Sequence, residues 1–219
     1  MVTISHLVKK LIQQKPLMQE AIIQNIASFA LLAEKLKPEI EKELEKKVKL
    51  PAVVMALRRH SEELKAKHKP IKFDFSSEII MKTNLCDIVV LKSTGVLSKL
   101  KKIQNLVSYE KGDILNIIHG TTEISIITNK KYKDKVLRLL KDEKIINIEE
   151  DLVSLSLRFS KEFFYTPGVL SSILRRLAWE GVNIFEIVST FTELTVITGK
   201  KDAMKGYNAL EGLIEKGSS

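Results

Sequence analysis

Residues 112–131, GDILNIIHGTTEISIITNKK, and residues 181–201, GVNIFEIVSTFTELTVITGKK, are nearly the same text. From Ile114 and Ile184 onward they align without a gap, and Glu123-Ile-Ser-Ile-Ile-Thr128 falls on Glu193-Leu-Thr-Val-Ile-Thr198. Each copy follows a similar turn and helix start, Thr94-Gly95-Val96-Leu97-Ser98 in one and Pro167-Gly168-Val169-Leu170-Ser171 in the other. A spacing of about seventy residues is too long for a solenoid repeat and is the size of a small domain used twice.

Working outward, each copy reads as strand, helix, strand, strand, helix. In the second copy Val153–Phe159 alternates apolar and polar residues, as a half-buried strand does. Val169, Ile173, Leu174 and Leu177 return to helical spacing, and Gly181 ends that helix. Ile184–Val188 and Leu194–Thr198 are rich in β-branched residues, and Asp202–Leu213 reads as a helix. The first copy repeats this with a strand near Ile88–Leu91, a helix from Val96, strands at Ile114–Ile118 and Ile124–Thr128, and a helix from Tyr132. Ile145–Ile148 can close the first copy. The second has only Gly-Ser-Ser after its last helix, so its closing strand is missing or comes from Ile71–Phe75 or Ile79–Met81.

Residues 1–72 are different. They contain no glycine, and their apolar residues recur at helical spacing: Leu7, Val8, Leu11 and Ile12, then Ile22, Ile23 and Ile26. Prolines punctuate them. Pro16 and Pro51 open helices, and Pro38 is expected to interrupt the run from Ala27 and start a third short helix. Several short helices with one small core resemble a helix-turn-helix domain. The expected class is therefore α+β. The domains are a helical, helix-turn-helix-like 1–72 and two α/β modules, 73–150 and 151–219, with a linker around His68-Lys-Pro70.

The chain has 219 residues and a formal charge of +9. Residues 1–72 hold 15 Lys and Arg against 8 Asp and Glu, whereas the rest hold 21 against 19. That asymmetry suggests an anionic partner for the first part, nucleic acid being the usual one, with a solvated basic surface as the alternative. The longest apolar run, Ser28–Ala33, is far short of a membrane span, which needs about 20 residues. A single cysteine, Cys86, makes no internal disulfide or thiolate cluster, which suggests a cytoplasmic location.

Tyr165-Thr-Pro-Gly-Val-Leu-Ser-Ser-Ile-Leu-Arg-Arg-Leu-Ala-Trp-Glu-Gly-Val-Asn-Ile184 resembles the signature of the ACT domain, the βαββαβ ferredoxin-like module that senses amino acids. Ser189-x-x-x-Glu193-Leu-Thr-Val is similar to the strand pair of the aspartate-kinase type, in which two ACT domains stand in tandem. Ile26–Arg59 resembles what precedes the ACT region in archaeal predicted regulators of amino acid metabolism. The resemblance implies a non-catalytic regulator, allosteric and dimeric or of higher order, with an amino acid as ligand. A kinase domain of some 250 residues has no room ahead of the pair, and no P-loop occurs. No cofactor is implied.

ACT domains commonly bind their ligand at the first loop and first helix. The free N–H groups of a helix start favour a carboxylate, and a glycine allows close backbone approach. The resemblance points to Thr166, Pro167, Gly168, Val169, Asn183 and Ile184, and in the first copy to Thr94, Gly95, Val96 and Asp113. Gly168 and Asn183 can equally be turn formers only. For the helical domain, Arg58 and Arg59 on the last helix, with Lys47 and Lys49 before it, are candidates for phosphates or base edges of DNA. Glu39, Glu41, Glu43 and Glu45 oppose that reading, and docking onto a biosynthetic enzyme is the alternative. His6, His60, His68 and His119 lack ligand spacing, so neither a metal nor a catalytic site is expected. Trp179 reads as packing or interface.

Overall fold

The computed structural model describes residues 3–67 and 78–217. The chain divides into two compact units, Met1–Pro70 and Ile71–Ser219. The expected linker at residues 68–70, and the alternative closing segment at residues 71–75, lie outside the described residues.

The first unit is built from helices α1 (Ile4–Gln13), α2 (Pro16–Ile23), α3 (Phe29–Leu44) and α4 (Leu50–Lys67). Thr3 caps α1, its hydroxyl accepting from the His6 amide at 3.2 Å. Pro16 is the first residue of α2, where a missing N–H costs nothing. Helix α4 packs against the other three. Leu7, Val8, Leu11 and Ile12 of α1, Leu36 and Ile40 of α3, and Val53 and Leu57 of α4 form one core. Pro38 corrects the sequence reading: it does not begin a helix but lies inside α3. Its ring removes one backbone bond at a cost of about 3 kcal/mol in an isolated helix. The buried stripe Ala33, Leu36, Ile40 runs straight across it and holds the helix together.

The second unit carries β1 (Ile79–Leu91), α5 (Thr94–Gln104), β2 (Leu115–His119), β3 (Glu123–Asn129), α6 (Lys133–Leu139) and β4 (Ile145–Arg158). There follow the short α7 (Lys161–Phe164), α8 (Val169–Trp179), β5 (Ile184–Ser189), β6 (Glu193–Gly199) and α9 (Ala203–Gly217). The six strands form one antiparallel sheet in the order β2-β3-β1-β4-β6-β5. Two helix-covered cores lie along it. Ile88, Val90, Ile124 and Ile126 pack with Val96, Ile103 and Val136 in the first half. Leu155, Leu157, Leu194 and Val196 pack with Ile173, Leu177 and Leu210 in the second.

Strands β1 and β4 are each shared by both halves. Residues Leu85–Leu91 of β1 pair with β3, whereas Ile79–Lys82 pair with Leu157–Ser154 of β4. The opening of β1 is thus the closing strand of the second half. Likewise Leu152–Arg158 pair with β6, and Ile145–Glu149 with the far part of β1. The pairing of β1 with β4 shifts register three times, once near Val89–Val90 and twice at residues in the left-handed region, Asn84 (φ 58°) in β1 and Asp151 (φ 53°) in β4. Asn and Asp tolerate that conformation better than most side chains. Between these kinks Leu85 and Leu152 face each other, fully buried with Ile127 and Ile197. Residues 145–148 and 153–159, which read as two strands in the sequence, are consequently one, apart from Phe159 just beyond its end.

Candidate functional site

The two equivalent helix starts are built differently. Ser93 is the cap of α5: its Oγ accepts from the Val96 amide at 3.0 Å and donates to Oε2 of Glu143 at 2.8 Å. Lys99, one turn into the helix, holds the other oxygen of Glu143 at 2.7 Å. The carboxylate lies over Gly95, where a β-carbon would collide with it. Its side chain is largely buried, and the Lys99 ammonium, then the Ser93 hydroxyl, hold its pKa below the ordinary value. An anion of the chain's own therefore occupies the positive end of α5.

Helix α8 begins at Gly168, whose φ of 91° requires glycine, and no side chain caps it. Pro167 and Gly168 are exposed, while Val169 is buried in the core, so only its backbone is available to a ligand. The position corresponding to Glu143, seventy residues on, is Leu213, which packs on the second core from within α9. The loop before Gly168 exposes Phe164 and Tyr165. Their rings meet that of Phe191, from the β5–β6 turn, at centroid distances of 5.3 and 6.3 Å.

The remaining candidates stand at the opposite helix ends. Eleven residues of α8, about 16 Å at 1.5 Å per residue, separate Val169 from the turn that leads to Asn183 and Ile184. Asn183 is exposed; its amide lies 3.4 Å from Asp202 and its carbonyl accepts from Thr198 at 2.7 Å. Ile184 is half-buried against the second core. In the first half, Thr94, Gly95 and Val96 are likewise a helix length away from Asp113. The Asp113 carboxylate is held by Lys131 at 2.6 Å and the Tyr132 hydroxyl at 2.7 Å, which lower its pKa. A small ligand touching both sets would have to lie between modules or between copies.

The sheet face opposite the helices carries polar groups that sequence reading missed. Asp87 is buried and accepts from Ser125 at 2.7 Å; burial pushes its pKa up. Burial, then the charge of Asp87, pushes Glu186 up as well. Further along the same face a cleft of about 280 Å³ is lined by Lys82, Asp113, Ser156, Arg158, Glu193 and Thr195 among others. Strand alternation in β1 and β4, taken copy against copy, was the available signal.

In the helical unit, Arg58 and Arg59 are exposed on α4, and Lys47 and Lys49 are exposed just before it. Three of the four opposing acids are engaged: Glu39 with Lys15 at 3.1 Å, Glu43 with Lys10 at 3.0 Å, and Glu41 with Lys37 at 2.9 Å; Glu45, at the C-cap of α3, is exposed. Trp179 is 75% exposed, so it does not pack within the second unit. Burial pushes the Cys86 thiol up to about 11, which argues against a reactive thiolate. Among the described residues no three His, Cys, Asp or Glu converge as metal ligands, and no helix is long and apolar enough to cross a membrane.

No family model and no curated protein matches the chain. Solved structures do. The regulatory subunit of aspartate kinase from Thermus thermophilus, in its ligand-free form, superposes with a TM-score of 0.52 at 19% identity, over 64% of this chain and 97% of that one. Aspartate kinase from Clostridium acetobutylicum gives 0.55 at 18% identity, over 67% of this chain and 36% of that one. Aspartokinase III of E. coli, in complex with aspartate and ADP, gives 0.50 at 14% identity, over 75% and 42%. The likeness shows the fold, an antiparallel sheet with helices of the ACT-like, ferredoxin-like kind. This chain spans less than half the length of the two kinases.

Proposed function

We propose that the protein is a non-catalytic regulator of amino acid metabolism whose second unit is a pair of tandem ACT domains sensing an amino acid. The observation that carries this reading is the unequal pair of helix starts in a fold shared with aspartate kinase regulatory regions. A free carboxylate fits the uncapped start of α8 beside Gly168, in the way that Glu143 fits the start of α5. The ligand's other end meets Asn183 and Ile184 of a neighbouring module, which makes a homodimer or higher oligomer part of the site. Exposed Trp179, Phe164 and Tyr165 suit such contacts.

The helical unit is the output. Exposed Arg58, Arg59, Lys47 and Lys49, with Glu39, Glu41 and Glu43 already paired, favour DNA as its partner and a helix-turn-helix reading with α4 as recognition helix. Docking onto a biosynthetic enzyme is the second reading. Exposed Met55 and Leu31, apolar groups on the same unit, favour it. Binding of DNA that weakens steeply with salt separates the two.

A thermal-shift screen against the twenty amino acids tests the sensor. A ligand at about 100 times its Kd stabilises the folded protein by about 2.7 kcal/mol. Gly168→Ala, strained at φ 91° by about 1–2 kcal/mol, is expected to remove the shift as well as lower the starting Tm. No responder at millimolar concentration would leave the ACT pair as a dimerisation scaffold.

A further inference from the structure

The register of the sheet allows the polar face of the two halves to be compared residue by residue. Arg158 stands opposite Glu193 where Leu91 stands opposite Glu123. Lys82 stands opposite Ser154 where Glu149 stands opposite Asp87. Thr195 takes the place of Ser125, and Val188 that of Ile118. The two regions are thus one architecture with a different balance of charge. One carries Asp87, Glu149, Glu123 and Glu186 around an apolar Leu91; the other has gained two cations, at Lys82 and Arg158.

The cationic region opens into the cleft of about 280 Å³, near the small end of the range for ligand sites. Its charges are unevenly spent. Asp113, on the far wall, is already held by Lys131 and Tyr132. Lys82 is half-buried and donates to the Gly112 carbonyl at 2.8 Å. The Arg158 Nε is 3.7 Å from Glu193, too long for a hydrogen bond, so much of the guanidinium stays available. Ser156 and Thr195 share a hydroxyl pair at 2.6 Å on the floor. Opposite Lys82 on the same face, the hydroxyl of Ser154 is fully buried without a hydrogen-bond partner. A buried hydroxyl without a partner is costly, although Ser154 itself is not among the residues lining the cleft. Ile80 and Val188 supply aliphatic wall.

We infer that this cleft, within one chain and on the sheet face away from the helices, is a second small-molecule site that takes an amino-dicarboxylic acid. Two carboxylates meet Lys82 and Arg158, and the ammonium meets Glu193. The net charge of such a ligand, −1, balances the cation excess of the three side chains. The inference does not depend on the α8 site: it uses other residues, on the other face of the sheet.

Calorimetric titration of the full chain with aspartate, glutamate and succinate tests it. Aspartate or glutamate is expected to bind, and Lys82→Met and Arg158→Leu each to weaken binding by about tenfold or more, as loss of a charge-assisted contact does. Arg158→Leu installs the residue the other half already carries, so it is expected to fold, which a thermal melt checks. Glu193→Gln is expected to weaken the amino-dicarboxylates while leaving succinate unchanged or tighter. Absence of binding at about 10 mM of all three acids, or affinities indifferent to Lys82→Met and Arg158→Leu, would overturn the inference. Binding abolished by Gly168→Ala but not by Lys82→Met would place the ligand at α8 and overturn it equally.

Discussion

Helix α5 starts under the carboxylate of Glu143, and helix α8 starts at a bare glycine. The two helices have the same length, the same place in the repeat and similar buried faces: Val96, Leu100 and Ile103 in one, Val169, Ile173 and Leu177 in the other. Their difference is made elsewhere. In the first half α6 stops at Leu139, and the chain turns through Asp142-Glu143-Lys144 into β4. In the second half α9 runs on to Gly217, so the position corresponding to Glu143, Leu213, is still helical. The first module needs that turn because its chain must return as the strand shared with the second. The consequence is that, of these two helix starts, the one at α8 has no side-chain cap among the described residues, whereas the one at α5 is covered by Glu143.

The shared strands make the strongest test of how far the halves are independent. Leu85 and Leu152, facing each other between the two kinks, bury their side chains completely. Leu85→Ala and Leu152→Ala are each expected to cost about 2–5 kcal/mol and to lower a single sheet transition in urea. Two separated transitions in either variant would show that the halves fold apart, and would break the comparison at its root.

A second contrast lies in how closely the last helix of each half approaches the sheet. Val136 of α6 is fully buried, and the residue seventy positions on is Gly206 of α9. A β-carbon on Gly206 would come within 2.7 Å of the Leu155 side chain and 3.7 Å of Val182. Gly206→Val is therefore expected to cost about 1–3 kcal/mol by overpacking. Val136→Gly leaves a cavity and a flexible helix position, at a cost of about 2–5 kcal/mol from lost packing and about 1 kcal/mol from propensity. Denaturation curves check both; a neutral Gly206→Val would mean that α9 can move away from the sheet as a body.

How much of this was legible in the sequence depends on the range of the interaction. Ile124, Ile126, Leu194 and Val196 repeat at the same places, so the two helix-covered cores could be read directly. The continuity of β1 and β4 could not. At Asn84 and Asp151 the register shifts, and the alternation of sides on either side of the kink reads as two strands. Pro38 misled for the opposite reason: a strong local rule lost to the buried stripe on which α3 lies. Gly168 was legible as a turn former because only glycine accepts its φ, and Pro16 and Pro51 as helix openers because that role is local; Glu143 is the contrasting case. It was not legible, since Ser93 and Lys99 lie 50 and 44 residues away from it and the second copy has leucine there. Lys82 and Arg158 become visible only once the strand register aligns them with Glu149 and Leu91.

The sealed helix start can be opened. Glu143→Ala is expected to lower the Tm at neutral pH and to make it respond to added acetate, a small carboxylate that can take the vacated place. Wild type should show no such response. The pH dependence has a definite sign. The pKa of Glu143 is depressed in the folded state, so its contribution is present above the ordinary carboxylate value of about 4.3 and is lost as pH falls through the folded value. The Tm gap between wild type and Glu143→Ala should close in acid. A gap that stays constant down to pH 3 would mean that the side chain acts by packing and not by charge.

Asp87 gives the smallest expected effect and the opposite slope. Burial raises its folded pKa, so the native state holds the proton more firmly than the unfolded chain. Stability from this group is therefore present at low pH and lost as pH rises through the folded value. Asp87→Asn keeps an acceptor for the Ser125 hydroxyl and removes the buried charge, together with its repulsion of Glu186. It should raise the Tm at pH 7 by about 2–4 °C, the equivalent of about 1 kcal/mol in a chain of this size, and bring no gain at pH 4. In the other half the equivalent residue is Ser154, neutral and without a partner, so the same scan on Ser154→Ala should show no pH dependence of its own. If Asp87→Asn instead destabilises at every pH, the hydrogen bond from Ser125 outweighs the burial of charge. The acidic side of the sheet would then be as settled a structure as the cationic side is an open one.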